Sequence, residues 1–165
     1  MLTQHRGIPE WIKKKYSGRF NVLAEGKGST NYLPDKDRHW YQPDIVLKSI
    51  TEPKDVRYII EVECDPVRKA IVGACLLADC SIEEMQETPA GLIFIIYSES
   101  GKKQISNFRA KVELIRCRCP HLSSINVVSY EEFRQGKGFE IRSIGRKKDA
   151  SDKLRERQTV RTVAR

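Results

Sequence analysis

Between Arg57 and Glu63 the chain reads RYIIEVE, and its polar and apolar positions predict a strand. A period of two places Ile59, Glu61 and Glu63 on one face and Tyr58, Ile60 and Val62 on the other. Two earlier stretches share this character: FNVLA, residues 20–24, and PDIVLKS, residues 43–49. In the second, Asp44, Val46 and Lys48 fall on one face. The link ITEPKD is too short for a crossover, so PDIVLKS and RYIIEVE are expected to form an antiparallel hairpin. GLIFIIY, residues 91–97, has almost no polar position and predicts a strand buried on both faces. SINVVSY, residues 124–130, predicts the last strand.

Elsewhere the apolar positions follow a helical period. Pro9 to about Tyr16 predicts a short helix with Pro9 in the first position and Trp11, Ile12 and Tyr16 on the apolar side. Asp65 as N-cap and Pro66 in the first turn open a second helix, VRKAIVGACLLADC. It is apolar nearly all round, which predicts a buried helix. From Ser106 to about Cys117 the stripe Ile105, Phe108, Val112 and Ile115 predicts a third. This stripe leaves Lys102, Lys103, Arg109, Lys111, Arg116 and Arg118 to solvent or a ligand. Between the first two strands lies a long polar loop, GKGSTNYLPDKDRH. The order helix, strand, strand, strand, helix, strand, helix, strand predicts one α/β domain over residues 1–144, with a central mixed β-sheet and helices on both faces. Residues 145–165 lack apolar periodicity and read as a basic, disordered tail.

Composition sharpens this picture in three ways. No window holds about 18 consecutive apolar residues, so no membrane span is expected. The first residues, MLTQHRGIPEWIKKK, lack the apolar core of a secretory signal, and a cytoplasmic protein is the simplest expectation. Five cysteines are an odd number, which suits reduced thiols rather than a disulfide framework. The net charge of +8 is concentrated at the ends. Residues 1–20 carry five Lys/Arg against one Glu, and residues 145–165 carry eight against three acids. Basic ends around a near-neutral centre suit a polyanion, with nucleic acid the default partner.

The hairpin carries the candidate chemistry. Asp44 and Glu61 can share a face on adjacent strands, and Glu63 follows Glu61 by about 7 Å along the strand. Three carboxylates so close repel one another unless a positive charge neutralises them. A hard divalent cation does so with oxygen ligands, and it can activate water against a phosphodiester. The plain alternative is that Asp44 caps a turn and the glutamates lie on a solvated sheet face.

PDIVL, then YIIEVE, then a helix, a buried strand, a helix and a strand resemble the PD-(D/E)XK nuclease superfamily. That group includes restriction endonucleases, Holliday junction resolvases and repair nucleases. The likeness runs from about Pro9 to Tyr130. Pro43-Asp44 matches the PD, and Glu61-Val62-Glu63 occupies the (D/E)XK position, with Glu63 where the family has lysine. The resemblance implies a restriction-endonuclease-like fold and a Mg²⁺- or Mn²⁺-dependent endonuclease acting on DNA. It implies Asp44 and Glu61 as metal ligands, with Glu63 holding metal or orienting water. The displaced lysine function would fall to Lys69 on the following helix or to Lys48 on the Asp44 face. Glu10 or Glu25 would complete the site through a water. In the junction resolvases a glutamate-bearing helix, a strand and a Gly/Ser-rich loop precede the PD strand, as Glu10 and AEGKGST do here. The loop would lie along the DNA backbone, with Lys27, Ser29 and Thr30 on phosphates, and Lys48 and Arg68 adding positive charge. Small nucleases of this kind often pair so that two sites reach two strands, so a homodimer follows by analogy alone. The other class is a catalytically inactive member that binds nucleic acid or a partner.

Two further motifs carry less. CRCPH, residues 117–121, offers two thiols and an imidazole but not the spacing of a zinc site, so helix-end or buried cysteines are expected. GKGST, residues 26–30, lacks the Walker spacing of a nucleotide-binding loop. His39, Trp40 and Tyr41 precede the PD strand and read as loop or core packing, with base stacking as the lesser alternative.

Overall fold

The structure is a computed structural model that describes residues 2–24, 41–52, 54–64, 68–85 and 89–139, with side chains from Gly7 onward except that of Arg68. The strand patterns all form strands. β1 (Phe20–Ala24), β2 (Ile45–Ser49), β3 (Val56–Glu63), β4 (Ala90–Ile96) and β5 (Leu122–Ser129) build one sheet in the order β1-β2-β3-β4-β5. β1, β2 and β3 meander antiparallel, while β3, β4 and β5 run parallel. Parallel neighbours need crossovers. α2 (Arg68–Met85) links β3 to β4, and α4 (Ile105–Ile115) links β4 to β5.

The two faces of the sheet carry separate cores. α2 and α4 cover one face, where Ile71, Cys75, Ala78, Phe108 and Val112 meet Val46, Ile59, Leu92 and Phe94. α1 (Leu2–Tyr16) and α5 (Tyr130–Arg134) cover the other, where Ile8, Ile12 and Phe133 meet Ile60, Val62, Ile93 and Ile95. β4 lies between two parallel neighbours and under both layers, so all seven of its residues are buried. This is the physical source of its unbroken apolar run. The domain is thus α/β, with a five-stranded mixed sheet between helical layers.

Several sequence expectations change. α1 begins at Leu2 and contains Pro9 instead of starting there. Proline removes one helical hydrogen bond, and burial of Ile8 and Ile12 one turn apart holds the helix on both sides of it. α2 is not buried all round. It buries the stripe Ile71, Cys75, Ala78 and Ile82, while Leu76 and Leu77 are 43% and 40% exposed. A helix in an outer layer has the sheet on one side only, whatever its composition. The cations near α4 are also not all left to solvent or a ligand. Arg109 donates from Nε to the Val127 carbonyl at 2.7 Å and from Nη2 to Glu132 at 2.8 Å. Lys102 sits between Glu99 and Glu131 at 2.7 and 2.8 Å.

Among the described residues there are also two short α-helices, α3 (Glu99–Lys102) between β4 and α4 and α5 after β5, and a 3-10 turn (Arg116–Arg118) that follows α4. α5 is closed by a capping box in which the Ser129 hydroxyl accepts from the Glu132 amide and the Glu132 carboxylate accepts from the Ser129 amide. Among the described residues no helix is long and apolar enough to cross a membrane. The tail, residues 145–165, lies outside the described residues.

Candidate active site

Asp44 immediately precedes β2. The antiparallel register pairs Ile45 with Ile60, so Asp44 falls opposite Glu61. The local geometry ties the two together. The Val62 amide donates to Asp44 Oδ2 at 2.6 Å, and the Asp44 amide lies 3.4 Å from Glu61 Oε2. Tyr41 donates its hydroxyl to Glu61 Oε1 at 2.5 Å from a buried position in the α2-side core. Glu63 follows on the same face of β3 and is half-buried. In the parallel register Glu61 lies beside Phe94 and Glu63 beside Ile96, two fully buried apolar residues. The acids therefore stand at the end of a greasy strip, where solvation is poor.

The electrostatics follow. Burial pushes the Glu61 carboxyl up to about 7, and the charges of Asp44 and Glu63 push the same way. The Tyr41 hydroxyl and the Asp44 amide pull it back down. Burial also raises the Tyr41 hydroxyl well above its ordinary range, with the neighbouring Glu61 charge adding to the effect. The Tyr97 hydroxyl is pushed up to about 12 by burial first, then by its hydrogen bond to Cys64 and the charges of Glu63 and Asp44.

The strand end that carries these acids is clamped. The Tyr97 amide donates to the Glu63 carbonyl at 3.1 Å, and the Ser98 hydroxyl donates to the Cys64 carbonyl at 2.5 Å. The Gly101 amide in turn donates to Ser98 Oγ at 2.9 Å. α3 comes so near that a Cβ on Gly101 would lie 2.6 Å from the Cys64 carbonyl oxygen.

No family model, curated protein or solved structure matches this chain. The site is defined by its own geometry.

Of the residues picked from the sequence, Asp44, Glu61 and Glu63 are brought together. Lys69 is exposed in the first turn of α2, the helix that follows Glu63. Lys48 is four residues along β2 from Asp44, about 13 Å at the strand's rise, and pairs with Val56. Glu10 is exposed on α1, in the layer that covers the other face of the sheet. Glu25, Lys27, Ser29 and Thr30, the rest of their loop with His39 and Trp40, and the Arg68 side chain lie outside the described residues, as do Asp65 and Pro66.

Among the described residues no group of three or more His, Cys, Asp or Glu side chains is arranged to hold a metal ion. An Asp–Glu pair still suits Mg²⁺, which commonly takes one or two carboxylates and leaves its other positions to water and substrate phosphate. All five cysteines are free thiols. Of CRCPH, Cys117 is exposed, and the end of the motif is tied to α2: Asp79, buried there, accepts the His121 and Leu122 amides at 2.7 and 3.1 Å and lies 3.1 Å from His121 Nδ1. Cys119 is buried with its sulfur 3.8 Å from the Cys75 carbonyl oxygen.

Sequence reasoning missed Tyr41 as a partner of Glu61, and it missed Tyr97. A tyrosine three residues before the PD aspartate is a weak signal by itself. Only the folded core shows that its hydroxyl reaches across to β3.

Proposed function

We propose that the end of the sheet bearing Asp44, Glu61 and Glu63 is the active site of a divalent-metal-dependent endonuclease acting on DNA, of restriction-endonuclease-like fold. The observation that carries this reading is the Glu61 carboxyl, held next to Asp44 across the β2–β3 hairpin and raised to about 7. A half-buried carboxylate beside a second one, with a third further along the strand, is unfavourable by itself, whereas a cation offsets the charge. The order of helix, three strands, helix, strand, helix and strand supports the likeness to the PD-(D/E)XK superfamily. The chain's basic ends supply the charge that a DNA backbone requires.

Asp44 and Glu61 are the residues that would hold Mg²⁺ or Mn²⁺. When bound, the metal supplies Lewis-acid stabilisation of charge on the phosphodiester and lowers the pKa of water. The chain's own residues do the rest. The Val62 amide fixes the Asp44 carboxylate, and Tyr41 fixes that of Glu61. Glu63 stands where it can orient a water or take its proton. Lys69, exposed in the first turn of the helix that follows, is the cation that this reading assigns to negative charge on a transferring phosphate.

A second reading has two observations in its favour. Protein donors already satisfy an oxygen of Asp44 and both oxygens of Glu61, and the family's lysine is a glutamate here. That arrangement also suits a DNA-binding module without activity. Incubation with branched, duplex and single-stranded DNA, with Mg²⁺ or Mn²⁺ and with chelator, separates the two. Cleavage that needs metal, is lost in Asp44→Ala and Glu61→Ala, and leaves DNA binding intact is the expected result. Cleavage unchanged in both variants overturns the assignment.

A further inference from the structure

At the same end of the sheet, but on the α1/α5 face, lies a cavity of about 680 Å³. That is within the size range of small-ligand sites, about 300–1,000 Å³. Trp11, Tyr97 and Tyr130 give it aromatic walls, and Cys64, Ser98 and Ser100 place a thiol and two hydroxyls on its lining. Trp11 is held in place by edge contacts to Tyr16, Tyr130 and Phe133 at 6.0 to 6.1 Å between ring centres. The cavity opens where β3 and β4 end, the position at which parallel sheets commonly bind ligands. Two of its residues also belong to the acid cluster's surroundings. Cys64 follows Glu63 directly, and Tyr97 feels the charges of Glu63 and Asp44.

Charge decides what kind of ligand suits it. Lys102 lines the cavity but is already paired with both Glu99 and Glu131, which line it too. Among the described residues the lining thus offers a phosphate no cation that is not already paired; Arg134, 5.9 Å from the centres of the Trp11 and Tyr130 rings, lies against the aromatic walls. A neutral, flat ring with hydrogen-bonding edges is favoured by the aromatic walls and by the hydroxyl and carboxylate acceptors. We propose that this cavity takes an unpaired nucleobase while the adjoining phosphodiester lies at Asp44 and Glu61, which directs the enzyme to DNA with unstacked nucleotides rather than to continuous duplex. The proposal rests on the nuclease reading of the acid cluster. Extruding a base from an intact duplex costs its stacking and pairing, a cost that an already unpaired base avoids.

The test is equilibrium binding in chelator, where cleavage does not intervene. Two probes are used: a duplex with one unpaired fluorescent aminopurine, and the same duplex with that base paired. The wild-type protein is expected to bind the unpaired probe about tenfold more tightly, as one base–aromatic stack provides, with a change in aminopurine fluorescence. Two variants remove the cavity's capacity in different ways. Trp11→Ala takes away a wall. Gly7→Leu adds bulk at a cavity-lining helix position where a Cβ meets nothing within 4 Å, so the core packing is left intact. Both variants should lose the preference while paired-duplex affinity stays unchanged. Equal affinity of the wild-type protein for both probes, or an intact preference in Gly7→Leu, overturns the proposal. A protein that keeps the preference yet cleaves no DNA with Mg²⁺ or Mn²⁺ retains the base pocket and refutes the nuclease reading. Metal-dependent cleavage without any preference does the reverse.

Discussion

Glu61 shows how one residue couples stability to the chemistry of the site. Its carboxyl is raised from 4.5 to about 7, chiefly by burial. Between these values the folded chain keeps a proton that the unfolded chain has released. Stability contributed by Glu61 therefore falls as pH rises through this window, by about 3 kcal/mol in total, and the loss is complete above it. Glu61→Gln should flatten that part of the stability–pH curve in urea unfolding experiments and be more stable than wild type at pH 8. Above pH 7, Mg²⁺ should raise the melting temperature of the wild-type protein and leave that of Glu61→Gln unchanged. Equal metal shifts in both would remove Glu61 from the ligand set. That Asp44 and Glu61 lie on adjacent strands was legible in the chain, because a short turn joins two strand patterns; their direct pairing was not, because a register shift between Leu47 and Lys48 sets it, and the Lys48–Val56 register alone would put Asp44 opposite Ile60. Tyr41 was not legible, because its position against Glu61 depends on the core that encloses its ring.

At the level of elements, two clamps hold strands of the sheet to the helices around them. Gly101 leaves no room for a side chain, since a Cβ would meet the Cys64 carbonyl oxygen and Ile96 Cγ2, both at 2.6 Å. Gly101→Ala should destabilise the fold by about 2 kcal/mol and loosen the end of β3, as seen in faster amide exchange at Cys64 and Tyr97. Asp79 accepts the first amides of β5 from its place on α2. Asp79→Ala takes its carboxylate from both amides, of which that of Leu122 keeps the Cys119 carbonyl at 3.3 Å, and should cost about 1–3 kcal/mol in urea unfolding, with Asp79→Asn costing less. The strands were the easiest elements to read, since each carries its period in a few residues. α5 went unread although its S-x-x-E capping signature, Ser129 to Glu132, stands in the sequence. The helix is five residues long, and Phe133 buried against the sheet, together with the capping box, holds it there. The extent of burial of α2 could not be read, because apolar composition does not reveal how many neighbours a helix has.

For the whole molecule, charge is the property that most affects partners. The centre of the chain is near neutral, and the excess of cations lies in the first 20 residues and in residues 145–165. If the terminal cations touch phosphates, removing residues 145–165 should weaken DNA binding across all sequences. It should also make the dependence of log affinity on log salt shallower, by about 0.9 for each phosphate that the tail had neutralised. An unchanged salt slope would show that the tail neutralises no phosphate. The acid cluster and the aromatic cavity meet at one end of the sheet because β3 and β4 run parallel and end together, while β2, running the other way, begins there.

The sequence by itself determined the strands, the hairpin that brings Asp44 and Glu61 onto adjacent strands, the buried β4 and the helical crossovers. Each depends on the spacing of residues close together in the chain, which the backbone's own geometry enforces. The tertiary structure decided which side chains share an environment. It brought Tyr41 to Glu61, tied Arg109 and Lys102 to carboxylates, left Leu76 and Leu77 at the surface, and opened a cavity among α1, α5 and the ends of β3 and β4. These outcomes depend on packing between segments far apart in sequence. A local pattern records which face of an element is apolar, but it carries no record of what comes to lie against that face.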